Sequence, residues 1–113
     1  MTKHRKNREK CLKYFELFCN KDLIGLENIF SDEIILRDWE VYKKGKISVL
    51  QANERIFSLV ESISINPIHI YSDDETVISE LEIVINNVDR IFAVDLISFN
   101  KIGKITNIHA YKR

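Results

Sequence analysis

Three polar side chains, Tyr14, Asp38 and Asp95, stand among apolar neighbours where periodicity turns them inward. Asp38 shares one side of an alternating segment with Ile34 and Leu36, and Asp95 shares its side with Ile91, Ala93, Ile97 and Phe99. Successive side chains of a strand point to opposite faces, so each aspartate belongs to a face otherwise made of hydrocarbon. Tyr14 lies inside an apolar helical stripe with Cys11, Leu12, Phe15, Leu17, Phe18 and Cys19. A carboxyl in an apolar cavity resists ionising, because its charged form loses solvation. One such acid stays protonated and donates a hydrogen bond, while a less buried one stays ionised and accepts a proton. Converging on one cavity, the three groups could run acid–base chemistry without metal or cofactor. Taken singly, each has a plainer reading: a strand aspartate that reaches an edge, or a core tyrosine with a satisfied hydroxyl.

Other chemistries find little support. Cys11 and Cys19 have neither CxxC nor zinc-finger spacing, and His4, His69 and His109 are scattered, so no metal set is expected. No glycine-rich phosphate loop, dinucleotide fingerprint or nucleophile elbow occurs, so no cofactor is expected either. Seventeen basic residues balance seventeen acidic ones, leaving no overall field to recruit nucleic acid or an anionic bilayer. Lys3, Arg5, Lys6, Arg8 and Lys10 crowd the first ten residues against Glu9, and the remainder holds 12 basic and 16 acidic side chains. Without interleaved aromatics to stack bases, that arm reads as a solvated helical turn. No apolar run reaches the roughly 20 residues of a membrane span, and no secretory signal is visible. Together with free thiols, this points to a cytoplasmic protein.

The elements that must position these residues follow from a change of period. With 113 residues, 45% hydrophobic and 30% charged, and one Pro and three Gly, residues 1–113 read as one folded domain. Residues 11–19 form an amphipathic helix closed by Asn20 and Lys21, and Asp22 caps a short second helix bearing Leu23, Ile24, Leu26, Ile29 and Phe30. Residues 33–39 alternate as a strand, Lys43-Lys44-Gly45 turns, and Ile47, Val49, Leu50, Ile56, Phe57 and Val60 mark a third helix. β-branched residues then dominate: strands are expected over 63–71, 76–85, 90–99 and 104–111, with Pro67 bending the first or placing it at an edge. The order predicts an α+β domain, three helices on one face of a curved, mainly antiparallel sheet.

These residues resemble a known family. The helix–helix–strand–helix–sheet order is that of the nuclear transport factor 2 (NTF2)-like fold, a cystatin-like cone that includes SnoaL-like and ketosteroid isomerase-like proteins, and the resemblance spans nearly the whole chain. The segment KYFELFCNKDLIGLENIFSDEIILRDW is similar to the opening of ketosteroid isomerase, with Asp22-Leu23, Gly25, Phe30, Asp32 and Asp38 at matching spacing. VDLISFNKIGKI resembles the strand–turn–strand that carries the isomerases' protonated aspartic acid, which falls on Asp95. The resemblance implies Asp38 as catalytic base and Tyr14 with Asp95 as donors to an oxyanion. It also implies a small-molecule ligand and a homodimer formed through the outer face of the sheet. Two departures are visible: residues 51–57 carry no tyrosine to support Tyr14, and Trp39 stands where a proline is usual.

The expected pocket is lined by Phe18, Phe30, Leu36, Trp39, Phe57, Ile78, Ile97 and Ile108, with Glu80 and Glu82 depending on register. A two-residue turn at Asn86-Asn87 puts Ile78, Glu80, Glu82 and Val84 on the face of Asp95, with Leu81 and Ile83 outward beside Phe92, Val94 and Leu96. One extra residue in the turn reverses every side chain and sends the glutamates to water. The functional expectation is a ketosteroid isomerase-like, cofactor-independent enzyme acting on a small carbonyl compound. A non-catalytic small-molecule-binding module and a SnoaL-like cyclase or dehydratase are the alternatives.

Overall fold

The computed structural model describes residues 3–113. Helices α1 (Lys3–Cys19) and α2 (Leu23–Ile29) precede a hairpin of β1 (Phe30–Arg37) and β2 (Tyr42–Lys44). Helix α3 (Lys46–Leu59) then leads into a meander of β3 (Ile63–Ser72), β4 (Thr76–Ile85), β5 (Asp89–Phe99) and β6 (Ile105–Lys112). The six strands form one open sheet in the order β2-β1-β6-β5-β4-β3. Only β1 and β6 pair in parallel. Helix α1 packs on β3 and β4 and α3 on β1, giving the expected three-helix, one-sheet α+β architecture. Arg5, Lys6, Arg8 and Lys10 are exposed along α1, so the basic arm is a solvated helical surface.

Local chemistry explains the helical entry. At the end of α1 the Lys21 N–H donates to the Phe18 carbonyl and the Asp22 N–H to the Leu17 carbonyl, with Lys21 in the left-handed region at φ 55°. These two bonds close the helix in a Schellman arrangement. Asp22 then caps α2 by accepting from the Gly25 N–H at 2.9 Å. Gly25 sits where the helices meet, and a Cβ there would lie 2.5 Å from Leu17 Cδ2. The Asp22–Gly25 pairing is therefore a packing device of the helix–helix corner.

Two boundaries differ from expectation. Phe30 begins β1 instead of ending α2, with extended backbone at φ −85°, ψ 138°. Lys43 and Lys44, expected in a turn with Gly45, instead belong to strand β2, whose three residues are all exposed, so no apolar alternation marks it. As expected, Pro67 lies in an edge strand, β3, and the β3–β4 register shifts between Pro67 and His69.

The main correction concerns the β4–β5 hairpin. Asn86 and Asn87 adopt φ 55° and 58°, and the Val88 N–H donates to the Ile85 carbonyl at 3.1 Å, as in a tight turn. Yet Ile85 pairs with Asp89, so Val88 is an extra residue in the connection. Ser79 consequently faces Asp95 across the ladder, and Val77, Ser79 and Leu81 are the buried side chains. Ile78, Glu80 and Glu82 lie on the outer face and do not line the pocket. Glu80 bonds His69 Nδ1 at 2.8 Å, and Glu82 lies 3.6 Å from Arg90. Leu81 and Ile83 belong to the inner face, leaving Phe92, Val94 and Leu96 outward among charged neighbours.

Candidate active site

Sixteen residues surround a cavity of about 240 Å³ between the helices and the sheet, and Tyr14, Asp38 and Asp95 are all among them. Of the other expected lining residues, Phe18, Leu36, Trp39 and Ile108 line it, whereas Phe30, Phe57 and Ile97 do not. Phe57 meets Phe18 edge-on at 4.9 Å between ring centroids, and Phe30 stands 6.2 Å from the Tyr14 ring, so both brace the wall from behind. The inner register supplies Ile83, Ile85 and Ile91 in place of Ile78, Glu80 and Glu82, and Ile56, Ile63 and Ile65 complete a largely hydrocarbon wall. A larger surface groove of about 680 Å³ between α1 and β3 holds none of the three polar groups.

Each group is held differently. The Tyr14 ring is wedged against Phe15 and Phe18 at centroid distances of 5.6 and 5.9 Å. Its hydroxyl makes no hydrogen bond with another described residue. Burial, then the charges of Asp95, Cys11 and Asp38, push its pKa well above the ordinary phenol value. Tyr14 is therefore a fixed donor at any physiological pH. Asp95 is 8% exposed, and its pKa is pushed up to about 7, first by desolvation and then by the charge of Asp38. It holds a proton around neutrality where an ordinary aspartate has lost it. Asp38 follows the end of β1 at the cavity mouth and is half-buried. Its Oδ1 accepts from the N–H groups of Glu40 and Val41, both at 2.8 Å, which fixes the side chain. Its Oδ2 takes no bond from the described residues.

Two further features bear on the chemistry. Cys11 is buried with its Sγ 3.6 Å from Ser79 Oγ, and burial pushes its thiol up to about 12, so it packs as an unreactive group. Asn53, which sequence reading passed over, lines the same cavity, is 3% exposed, and its Nδ2 has no partner among the described residues. The available signal was its place in the buried stripe Val49, Asn53, Phe57 at four-residue spacing on α3. Leaving such a donor unsatisfied costs roughly 1–3 kcal/mol. Among the described residues, no group of three or more His, Cys, Asp or Glu side chains is placed to hold a metal ion. No helix there is long and apolar enough to cross a membrane.

No family model and no curated protein matches the sequence. Solved structures do match over nearly the whole chain. An LEH-like epoxide hydrolase from M. tuberculosis is 13% identical, over 99% of this chain and 86% of that one, with a TM-score of 0.86. A candidate ketosteroid isomerase from Kribbella flavida is 12% identical, over 100% and 82%, with a TM-score of 0.83. An NTF2-like protein of unknown function from Cytophaga hutchinsonii is 15% identical, over 95% and 89%, with a TM-score of 0.80. The chain has the NTF2-like fold, whose structural neighbours include SnoaL-like and ketosteroid isomerase-like proteins.

Proposed function

We propose that the protein is a cofactor-independent acid–base enzyme that moves a proton on a small carbonyl compound. Asp38 takes a proton α to the carbonyl and returns it at another carbon. Tyr14 and protonated Asp95 donate hydrogen bonds to the oxygen as it gains charge. Such donors, fixed in a dry cavity, stabilise that charge without reorganising. One observation carries the reading: a single apolar cavity joins an anchored carboxylate, an immobilised phenol and a second carboxyl whose pKa is raised to about 7. At about 240 Å³ the cavity is below the ~300–1,000 Å³ of sites for drug-sized ligands, which favours small substrates over steroids.

The test is conversion of 3-cyclohexen-1-one to its conjugated isomer, followed by enone absorbance, alongside α-proton exchange in D2O. Turnover that is lost in Asp38→Asn and reduced in Tyr14→Phe supports the proposal; no exchange on a panel of small ketones rejects it. A second reading, capture of a small molecule without turnover, draws support from the Asp38 carboxylate, whose Oδ1 already serves the turn. Ring closure or epoxide opening would use the same donors on another skeleton, as the likeness to an LEH-like epoxide hydrolase suggests. Phe92, Val94 and Leu96 on the outer face favour a homodimer, which sedimentation would test. Free Cys11 and Cys19 suit a reducing, cytoplasmic setting.

A further inference from the structure

Asn53 is the polar group that the acid–base reading leaves unused. It is 3% exposed, it lines the cavity that holds Tyr14, Asp38 and Asp95, and its Nδ2 finds no acceptor among the described residues. Nearly all buried polar groups in native proteins are satisfied, so an orphaned amide calls for a cause. The fold does not supply one, since an aliphatic side chain would fill the stripe between Val49 and Phe57 without stranding a donor. The cavity wall contributed by β3 and β4 is made of isoleucines, Ile63, Ile65, Ile83 and Ile85, and hydrocarbon cannot accept a hydrogen bond. A half-turn of the carboxamide brings its donor to the cavity side, and the missing partner is then something that enters the cavity.

We infer that Asn53 binds a second oxygen of the ligand. The substrate class is accordingly an uncharged compound bearing a hydroxyl or carbonyl in addition to the carbonyl that reacts. This rests on the acid–base reading of the site. A carboxamide offers donors and an acceptor together, so it pairs with either oxygen function. An anionic second group is disfavoured, because the Asp38 carboxylate shares the cavity and like charges repel. Sites built to bond a substrate oxygen reject analogues that lack it, which makes Asn53 a specificity-determining residue.

The test compares phenol, a one-oxygen enolate mimic, with catechol, resorcinol and hydroquinone, by calorimetry and thermal melting at pH 6. Wild type is expected to bind at least one diol about 5-fold more tightly than phenol, the effect of one added hydrogen bond. In Asn53→Leu and Asn53→Ala that preference disappears while phenol affinity is kept, and Asn53→Leu melts at or above the wild-type temperature. Diols that bind wild type no better than phenol, or a preference that survives both substitutions, overturn the inference. So does a large fall in melting temperature for Asn53→Leu, which marks a structural amide. Phenol binding that Tyr14→Phe weakens, without any diol advantage, removes the role of Asn53 and leaves the acid–base reading standing. Phenol binding unaffected by Tyr14→Phe, or no phenol binding at all, counts against both.

Discussion

Asp95 pairs directly with Ala110 across the β5–β6 ladder, and both line the cavity. On the other side of β6, Arg37 pairs with His109, so Asp38 enters the next position beyond that ladder, level with Ala110. The two aspartates thus flank β6 at about two strand spacings, or roughly 10 Å between Cα atoms. The smallest side chain of the row lies between them. That arrangement leaves room for a small molecule on the floor between them. It also agrees with the order of causes at Asp95, where desolvation comes first and the charge of Asp38 second.

Asp95→Asn tests the buried proton. Folded, Asp95 keeps its proton to about pH 7; unfolded, it releases it near 3.8. Below pH 4 both states hold the proton. Between those values only the folded state does, so this group's contribution to stability is lost as pH rises towards 7. Above 7 the fold carries a buried charge at a penalty of roughly 4 kcal/mol. The melting temperature of Asp95→Asn relative to wild type should therefore rise from pH 4 to pH 8 and then level off. A difference that stays flat with pH would show that Asp95 ionises as an ordinary aspartate.

Asp38→Asn and Asp38→Ala separate proton transfer from turn formation. Asparagine keeps an oxygen that can accept from the Glu40 and Val41 N–H groups, so it should melt within about 0.5 kcal/mol of wild type. Alanine loses both bonds and should cost about 1–2 kcal/mol. Both should abolish proton exchange on the ketone. Equal stability of the two variants would mean that the turn holds without the side chain.

Much of this was legible in the sequence, because long elements advertise themselves by period. The α1 stripe, the Asp22 cap and the β-branched runs of β3 to β6 each satisfy one rule over many residues. Tyr14, Asp38 and Asp95 were visible as polar interruptions of apolar faces. Asn53 is the same kind of interruption, but α3 has few buried positions against which to notice it. What sequence could not settle was the inner face of β4, since Asn86-Asn87 suits a tight turn whether or not Val88 joins the strand. One residue in that turn decides whether Glu80 and Glu82 or Ser79 and Leu81 are buried, and only packing against α1 and β3 makes the choice.

Glu80→Gln and Glu82→Gln check that choice through function. Both side chains lie on the outer face, paired with His69 and Arg90, and such partly exposed pairs are worth little, about 0–1 kcal/mol. Each variant should keep wild-type ketone exchange and phenol affinity within 2-fold. A tenfold change in either would put the glutamates back in the cavity.

Deleting Val88 tests the turn itself. With Val88 removed, Asn86 and Asn87 remain as a two-residue loop between Ile85 and Asp89, which already pair. Their φ values of 55° and 58° are those a tight hairpin loop needs, so only Asp89 has to draw in to close it. Val88 is 80% exposed, and its removal takes no side chain from the core. The Asp89 N–H can replace the bond that Val88 gives the Ile85 carbonyl. The shortened chain should therefore melt cooperatively within about 1 kcal/mol of wild type, with cross-strand NOEs still linking Ile83 to Ile91. The opposite register would expose Leu81, now fully buried, and bury Glu80 and Glu82, which the inner face cannot accommodate. A deletion variant that loses cooperative melting would show that Val88 holds the hairpin in register.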